Sequence, residues 1–154
     1  MKSNPFKIIP GAPKPLSFAV ERRVRFEEVD ALGIVWHGRY PGYLEDVREA
    51  LGDHYGIGYL DFFKKGVATP IRQLHFDYLH PLQLREKFTI KGELHWSEAA
   101  RLNFTYQIFN AQDKLTTSGY SVQMMLDHQN QSVLMVPPPF FQTFLERWQQ
   151  AQNL

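Results

Sequence analysis

The stretch Glu28-Val29-Asp30-Ala31-Leu32-Gly33-Ile34-Val35-Trp36-His37-Gly38-Arg39-Tyr40 stands between two kinds of periodicity. Before it, residues 20–28 (Val20 to Glu28) read as a first strand, with Val24 and Phe26 on one face. After it, Tyr40, Leu44, Val47 and Leu51 recur at the spacing of one helical face, and Glu45, Asp46, Arg48 and Glu49 fill the other. Pro41 suits a first helical position, where its missing N–H costs little. Gly56 fits the stop of a helix over Tyr40–Tyr55. The quoted stretch is therefore a strand-to-helix junction with two breakers, Gly33 and Gly38.

Outward from the junction, a shorter helical piece runs from Tyr59 to Lys65 and ends at Gly66. The period then changes to two. Leu74, Phe76 and Tyr78 alternate with polar neighbours until His80-Pro81 breaks the run. Phe88, Ile90, Leu94 and Trp96 alternate next, with Gly92 at a gap that reads as a bulge. Leu102, Phe104, Tyr106 and Ile108 form another run, Asn110 to Asp113 is a turn by composition, and Tyr120, Val122, Met124 and Leu126 make a last strand. The order is strand, long helix, four strands, short helix. Strands with one apolar face need a cover, and the single long helix supplies it, giving a two-layer α+β arrangement. Periodicity does not order the first strand against the other four.

The 154-residue chain suits one folded unit. Residues 1–18 carry Pro5, Pro10, Pro13 and Pro15 and read as a proline-rich arm. The domain is expected over 19–137. Residues 138–154 are expected as a terminal helix packed on it, with Phe141, Phe144, Leu145 and Trp148 on one face.

With no cysteine there are no disulfides and no thiol nucleophile, which fits a reducing compartment. A formal net charge of +1 gives no nucleic-acid footprint, and the pairs Arg22-Arg23 and Lys64-Lys65 read as isolated solvated charge. No stretch reaches the ~20 apolar residues of a membrane span. Pro10 interrupts any signal-peptide core after Ile8-Ile9. The expected location is the cytoplasm. His75 and Asp77 share a strand face, but two ligands do not make a metal site, so no metal is expected.

The junction also carries chemistry. A helix start offers unpaired N–H groups and a positive dipole end. Asp30 adds a carboxylate and His37 an imidazole. Two readings fit these residues alone. They cap a turn and a helix, since Asp and Gly are default turn residues. Or they form a site where charge developing on a carbonyl oxygen is stabilised.

Here the stretch resembles the signature of the 4-hydroxybenzoyl-CoA thioesterase-like family, a branch of the hotdog-fold superfamily. Glu28, Asp30, Gly33, Ile34, Val35, Trp36, His37 and Tyr40 match it at fixed spacing. Ala68-Thr69-Pro70-Ile71 resembles the family's short strand entry beside its active site. The resemblance covers about residues 20–137. Two positions depart from it. Phe26 stands where some relatives carry tyrosine, and Glu28 where aspartate is commoner.

The resemblance implies a hotdog fold, an antiparallel sheet of five or six strands around the Tyr40–Tyr55 helix. It implies a homodimer joined edge to edge, often paired again into a homotetramer, with active sites at the dimer interface. It implies an acyl-CoA thioesterase without a cofactor, in which Asp30 acts as general base or nucleophile and His37 positions water or carbonyl. Gly38 and Tyr40 would stand at the oxyanion, and Thr69 and Pro70 would position substrate. Arg72, Ser97 and Arg101, with Lys91 nearby, are candidates for CoA contact. The acyl group stays open, as do acyl-carrier-protein thioesters.

Other readings carry less. Glu45 or Glu49 could serve as a helix-borne carboxylate, as in another hotdog branch, although both sit on the polar face. The spacing of Asp30 and His37 does not fit hydratase motifs, and His37, Pro41 and Glu49 only faintly echo the dehydratases. A non-catalytic acyl-binding dimer would need no Asp30.

Overall fold

The structure is a computed structural model that describes residues 4–151. The first three residues of the expected arm and the last three of the expected terminal helix lie outside that range.

Strand β1 (Leu16–Arg23) is followed by two single 3₁₀ turns, Phe26–Glu28 and His37–Arg39. Helices α1 (Tyr40–Tyr55) and α2 (Tyr59–Lys64) come next. Then follow β2 (Val67–Ala68), β3 (Ile71–Tyr78), β4 (Lys87–His95), β5 (Arg101–Asn110), β6 (Leu115–Met124), β7 (Leu126–Asp127) and α3 (Pro139–Ala151). The main sheet has five antiparallel strands in the order β1-β4-β5-β6-β3, and β2 pairs with β7 in a small second sheet. The order that periodicity left open is thus settled by β1 joining β4.

The sheet wraps α1 because its strands alternate. Phe88, Ile90 and Leu94 of β4 and Leu102, Phe104, Tyr106 and Ile108 of β5 are all buried. Against them α1 presents Tyr40, Tyr43, Leu44, Val47 and Leu51, of which Val47 and Leu51 are fully buried. Gly56 ends α1 in the left-handed region at φ 75°, where glycine has no Cβ penalty. Helix α3 buries the expected face of Phe141, Phe144, Leu145 and Trp148. The Trp148 ring meets Trp96 edge-on at 5.1 Å, and its Nε1–H donates to the Lys14 carbonyl at 3.0 Å. That bond ties the N-terminal segment down.

Three expectations are corrected. The first strand is Leu16–Arg23 and not Val20–Glu28. It ends early because the Glu28 carboxylate accepts the Arg25 N–H at 2.7 Å, which folds Phe26–Glu28 into a turn and leaves Phe26 81% exposed. The strand expected through Tyr120 and Leu126 is β6, which begins earlier, at Leu115, and ends at Met124, Leu126 belonging to β7; the buried Thr117, Ser121 and Gln123 put its inward face behind polar names.

Gly92 is not a bulge, for the β1–β4 and β4–β5 registers run through it unbroken. A Cβ there would lie 3.1 Å from Val47 Cγ1, so glycine lets α1 approach the sheet. Gly92→Val should therefore overpack this contact and cost about 1–3 kcal/mol, read as a lower urea midpoint at unchanged slope.

Candidate active site

The junction folds into a tight loop. Gly33 takes φ 76°, allowing its N–H to reach the Asp30 carbonyl at 3.0 Å while the Asp30 N–H donates to Ile34 at 2.9 Å. Val29 and Val35 bridge, and the Val35 N–H donates to Leu82 at 2.9 Å, anchoring the loop to the segment before β4. The Asp30 side chain accepts the Leu32 N–H at Oδ1, at 2.8 Å. Its second oxygen has no protein partner among the described residues. Both starting readings therefore have a place: one oxygen makes the turn and the other remains available.

Trp36 then leads into the His37–Arg39 turn, whose Arg39 N–H donates to the Trp36 carbonyl at 2.9 Å. Gly38 lies under the Trp36 ring, where a Cβ would fall 2.3 Å from a ring carbon. The Arg39 guanidinium ties this turn to the other one through the Glu27 carbonyl at 2.8 Å. Tyr78, at the end of β3, donates its hydroxyl to the His37 carbonyl at 3.0 Å. Burial raises the pKa of both Tyr78 and Tyr40, so each phenol stays neutral.

Asp30, His37 and Tyr40 share one open cleft of about 340 Å³ with Tyr78 and His80. Gly38 adjoins it in sequence. Tyr78 and His80 were missed as site residues. Nothing local marks them, and only the pairing of β3 with β6 carries the chain there, where the Leu79 and His80 N–H groups both donate to the Thr116 carbonyl.

The remaining expected residues are elsewhere in this chain. Thr69 and Pro70 line a separate cavity of about 530 Å³ with Glu45, Glu49 and Gln123, the last donating Nε2–H to the Thr69 carbonyl at 2.7 Å. Glu45 is paired with Arg48. Arg72 is exposed on β3, Ser97 accepts the Ala99 N–H in the β4–β5 turn, and Arg101 is exposed at the start of β5. Lys91 pairs with Glu93 at 3.6 Å. His75 is paired with Asp77 at 3.2 Å.

Residues 24–147 match the family described as the thioesterase-like superfamily. The chain belongs to that superfamily. Among relatives of this thioesterase-like chain, YneP of Bacillus subtilis is 29% identical over 110 residues, covering 71% of this chain and 80% of its own length. The acyl-CoA thioester hydrolase YbgC of Escherichia coli is 27% identical over 105 residues, covering 68% and 78%. The DHNA-CoA thioesterase of Staphylococcus aureus superposes with a TM-score of 0.78 at 24% identity, covering 88% of this chain and 91% of that one. That likeness bears on the fold, which is the expected hotdog. Among the described residues, no helix of this thioesterase-like chain is long and apolar enough to cross a membrane.

Proposed function

We propose that the protein hydrolyses acyl-CoA thioesters to free acid and CoA, with Asp30 as the catalytic carboxylate. The observation that carries this reading is the Asp30 carboxylate, with one oxygen unpartnered, in the same cleft as the turn that starts α1. The name of YbgC supports the substrate class.

In the general-base form, Asp30 takes a proton from water as the water oxygen bonds to the thioester carbonyl carbon. The oxygen of that carbonyl becomes an oxyanion, stabilised by backbone N–H groups around Gly38 and Tyr40 and by the α1 dipole. The C–S bond then breaks, and the thiolate leaves with the proton held on Asp30. Direct attack by the carboxylate, with a covalent anhydride later split by water, uses the same geometry. His37 lies beside the reacting carbonyl and orients it or the water.

Dimerisation completes the site. Strand β3 is a sheet edge, with Ile71, Leu74 and Tyr78 all at least 40% exposed. An exposed edge of this kind invites pairing. In a two-fold antiparallel β3–β3 pairing, the Ile71 end of one strand meets the Tyr78 end of the other. The partner subunit's Thr69 and Pro70, just before Ile71, then stand beside the cleft that Tyr78 shares with Asp30. Arg72 follows on the same edge. Ser97 and Arg101, outside both cavities, remain candidates for outer CoA contacts. Two such dimers would make the homotetramer, and the setting is the cytoplasm.

Product analysis by mass spectrometry tests this reading. Incubation with saturated and enoyl-CoAs should yield free acid and CoA. Hydrated acyl-CoA with its thioester intact would mean hydratase chemistry, and bound but unchanged substrate a binding role. Free acid from acyl-carrier-protein thioesters alone would move the substrate to that carrier. Tyr78→Phe removes the hydrogen bond that steadies the His37 carbonyl. It should lower kcat about 3–10-fold with little change in Tm, as for one neutral hydrogen bond near the site.

A further inference from the structure

Four arginines, three from the end of β1 and the turn after it and one from the turn before α1, meet beside the α1 start. Arg22, Arg23, Arg25 and Arg39 line a hollow of about 510 Å³ together with Glu28, Tyr43 and Asp46. The pair Arg22-Arg23, read in sequence as isolated surface charge, is thus half of a cluster. It forms because β1 ends at Arg23, the following turn brings Arg25 round, and Arg39 reaches across to the Glu27 carbonyl.

The carboxylates nearby do not neutralise this cluster. Arg22 is paired with Asp46 at 3.1 Å and Arg25 with Glu27 at 3.7 Å. Arg39 donates to a backbone carbonyl, and Arg23 has no ion pair or side-chain hydrogen bond among the described residues. Arg23 and Arg39 therefore face the hollow without an ion pair, and the one further carboxylate lining it, Glu28, is held by the Arg25 backbone N–H. Tyr43 is 3% exposed, and its hydroxyl makes no hydrogen bond of ordinary geometry. Burial, and then the charge of the neighbouring Glu28, raises its pKa, so it is a neutral donor.

Planar guanidinium forks match phosphate oxygens bidentately, and several of them suit a ligand with more than one phosphate. The volume falls within the range of small-molecule sites, and the concavity disfavours a flat protein surface. The hollow and the cleft draw on the same strand-to-helix junction: Glu28 of the hollow stands two residues before Asp30 of the cleft, and Arg39 two after His37.

We propose that this arginine-lined hollow binds the phosphate-bearing end of the thioester's carrier, a 3′-phosphorylated adenosine diphosphate. The proposal rests on the acyl-CoA reading and gives the nucleotide phosphates a place apart from Arg72 and Arg101. It assigns substrate affinity, not turnover, to β1.

The test uses Arg23→Gln/Arg25→Gln in the full chain, with two readouts. In titration calorimetry, adenosine 3′,5′-bisphosphate should bind the wild type and weaken at least about tenfold in the variant, the cost of lost charge-assisted hydrogen bonds. In hydrolysis, KM for an acyl-CoA should rise about tenfold at similar kcat, while the same acyl group on pantetheine, which carries no phosphate, should show no change. Equal binding of inorganic phosphate and the bisphosphate would overturn the nucleotide assignment. So would unchanged KM in this variant beside a raised KM in Arg72→Gln/Arg101→Gln, or an effect confined to acyl-carrier-protein thioesters. A wild type that binds the bisphosphate but cleaves neither thioester would defeat the hydrolase reading and leave the nucleotide site standing.

Discussion

Asp30→Asn lowers kcat for acyl-CoA hydrolysis by about 100-fold or more, with KM and Tm nearly unchanged. The substitution keeps the size of the side chain and an oxygen able to accept the Leu32 N–H that shapes the loop. What it removes is the basicity of the second oxygen, which has no structural partner to lose. An interaction needed only in the transition state lowers kcat and kcat/KM together. Steady-state kinetics beside a thermal melt separates this from loss of fold. Full activity in the variant would transfer the chemistry to Glu45 or Glu49, both of which line the Thr69 cavity.

Gly119→Ala should damage folding more than any surface change in the protein. Gly119 lies on β6 between Phe76 of β3 and Tyr106 of β5. A Cβ at this position would fall 2.4 Å from the His75 carbonyl oxygen, and that obstacle is backbone. No rotamer relieves it, so β3 must move away from β6. The expected cost is about 3 kcal/mol or more, out of a total stability on the order of 5–15 kcal/mol. Because β3 carries Tyr78 to the cleft, activity should fall with stability. Gly42→Ala is the contrast. It is helical and has nothing within 4 Å of the added Cβ, so it should stabilise by about 0.5–1 kcal/mol. Urea denaturation of both variants measures the difference.

The parts of the fold that were legible are those where one physical signal acts alone. Helix Tyr40–Tyr55 has an apolar stripe, a proline at its start and a glycine at its end, and all three agree. Strands β4 and β5 each have one wet face and one buried face, so their period survives in the residue names. Where two signals compete, residue names and structure part. Leu16, Phe18 and Val20 alternate as a strand, but Pro13 and Pro15 made their neighbourhood look like arm. Phe26 looked like the next inward residue, yet the Glu28 carboxylate turns the chain out first. Gly92 has the same composition signal whether it bulges or admits a helix, and only the Val47 contact separates the two.

The candidate site divides in the same way. Asp30, His37 and Tyr40 lie within one continuous stretch and meet in one cleft. Tyr78 and His80 depend on strand pairing, which no local residue encodes. The arginine hollow needs the end of β1, a 3₁₀ turn and the α1 start to converge, so in sequence it was only two adjacent basic residues.

Hydrolase activity is measured as thiol release by the purified wild-type protein from aromatic, short-chain and long-chain acyl-CoAs, followed with a thiol reagent. Continuous release of CoA from at least one of these classes is expected, far above the spontaneous rate. A folded protein that releases no CoA from any of them would contradict the hydrolase reading.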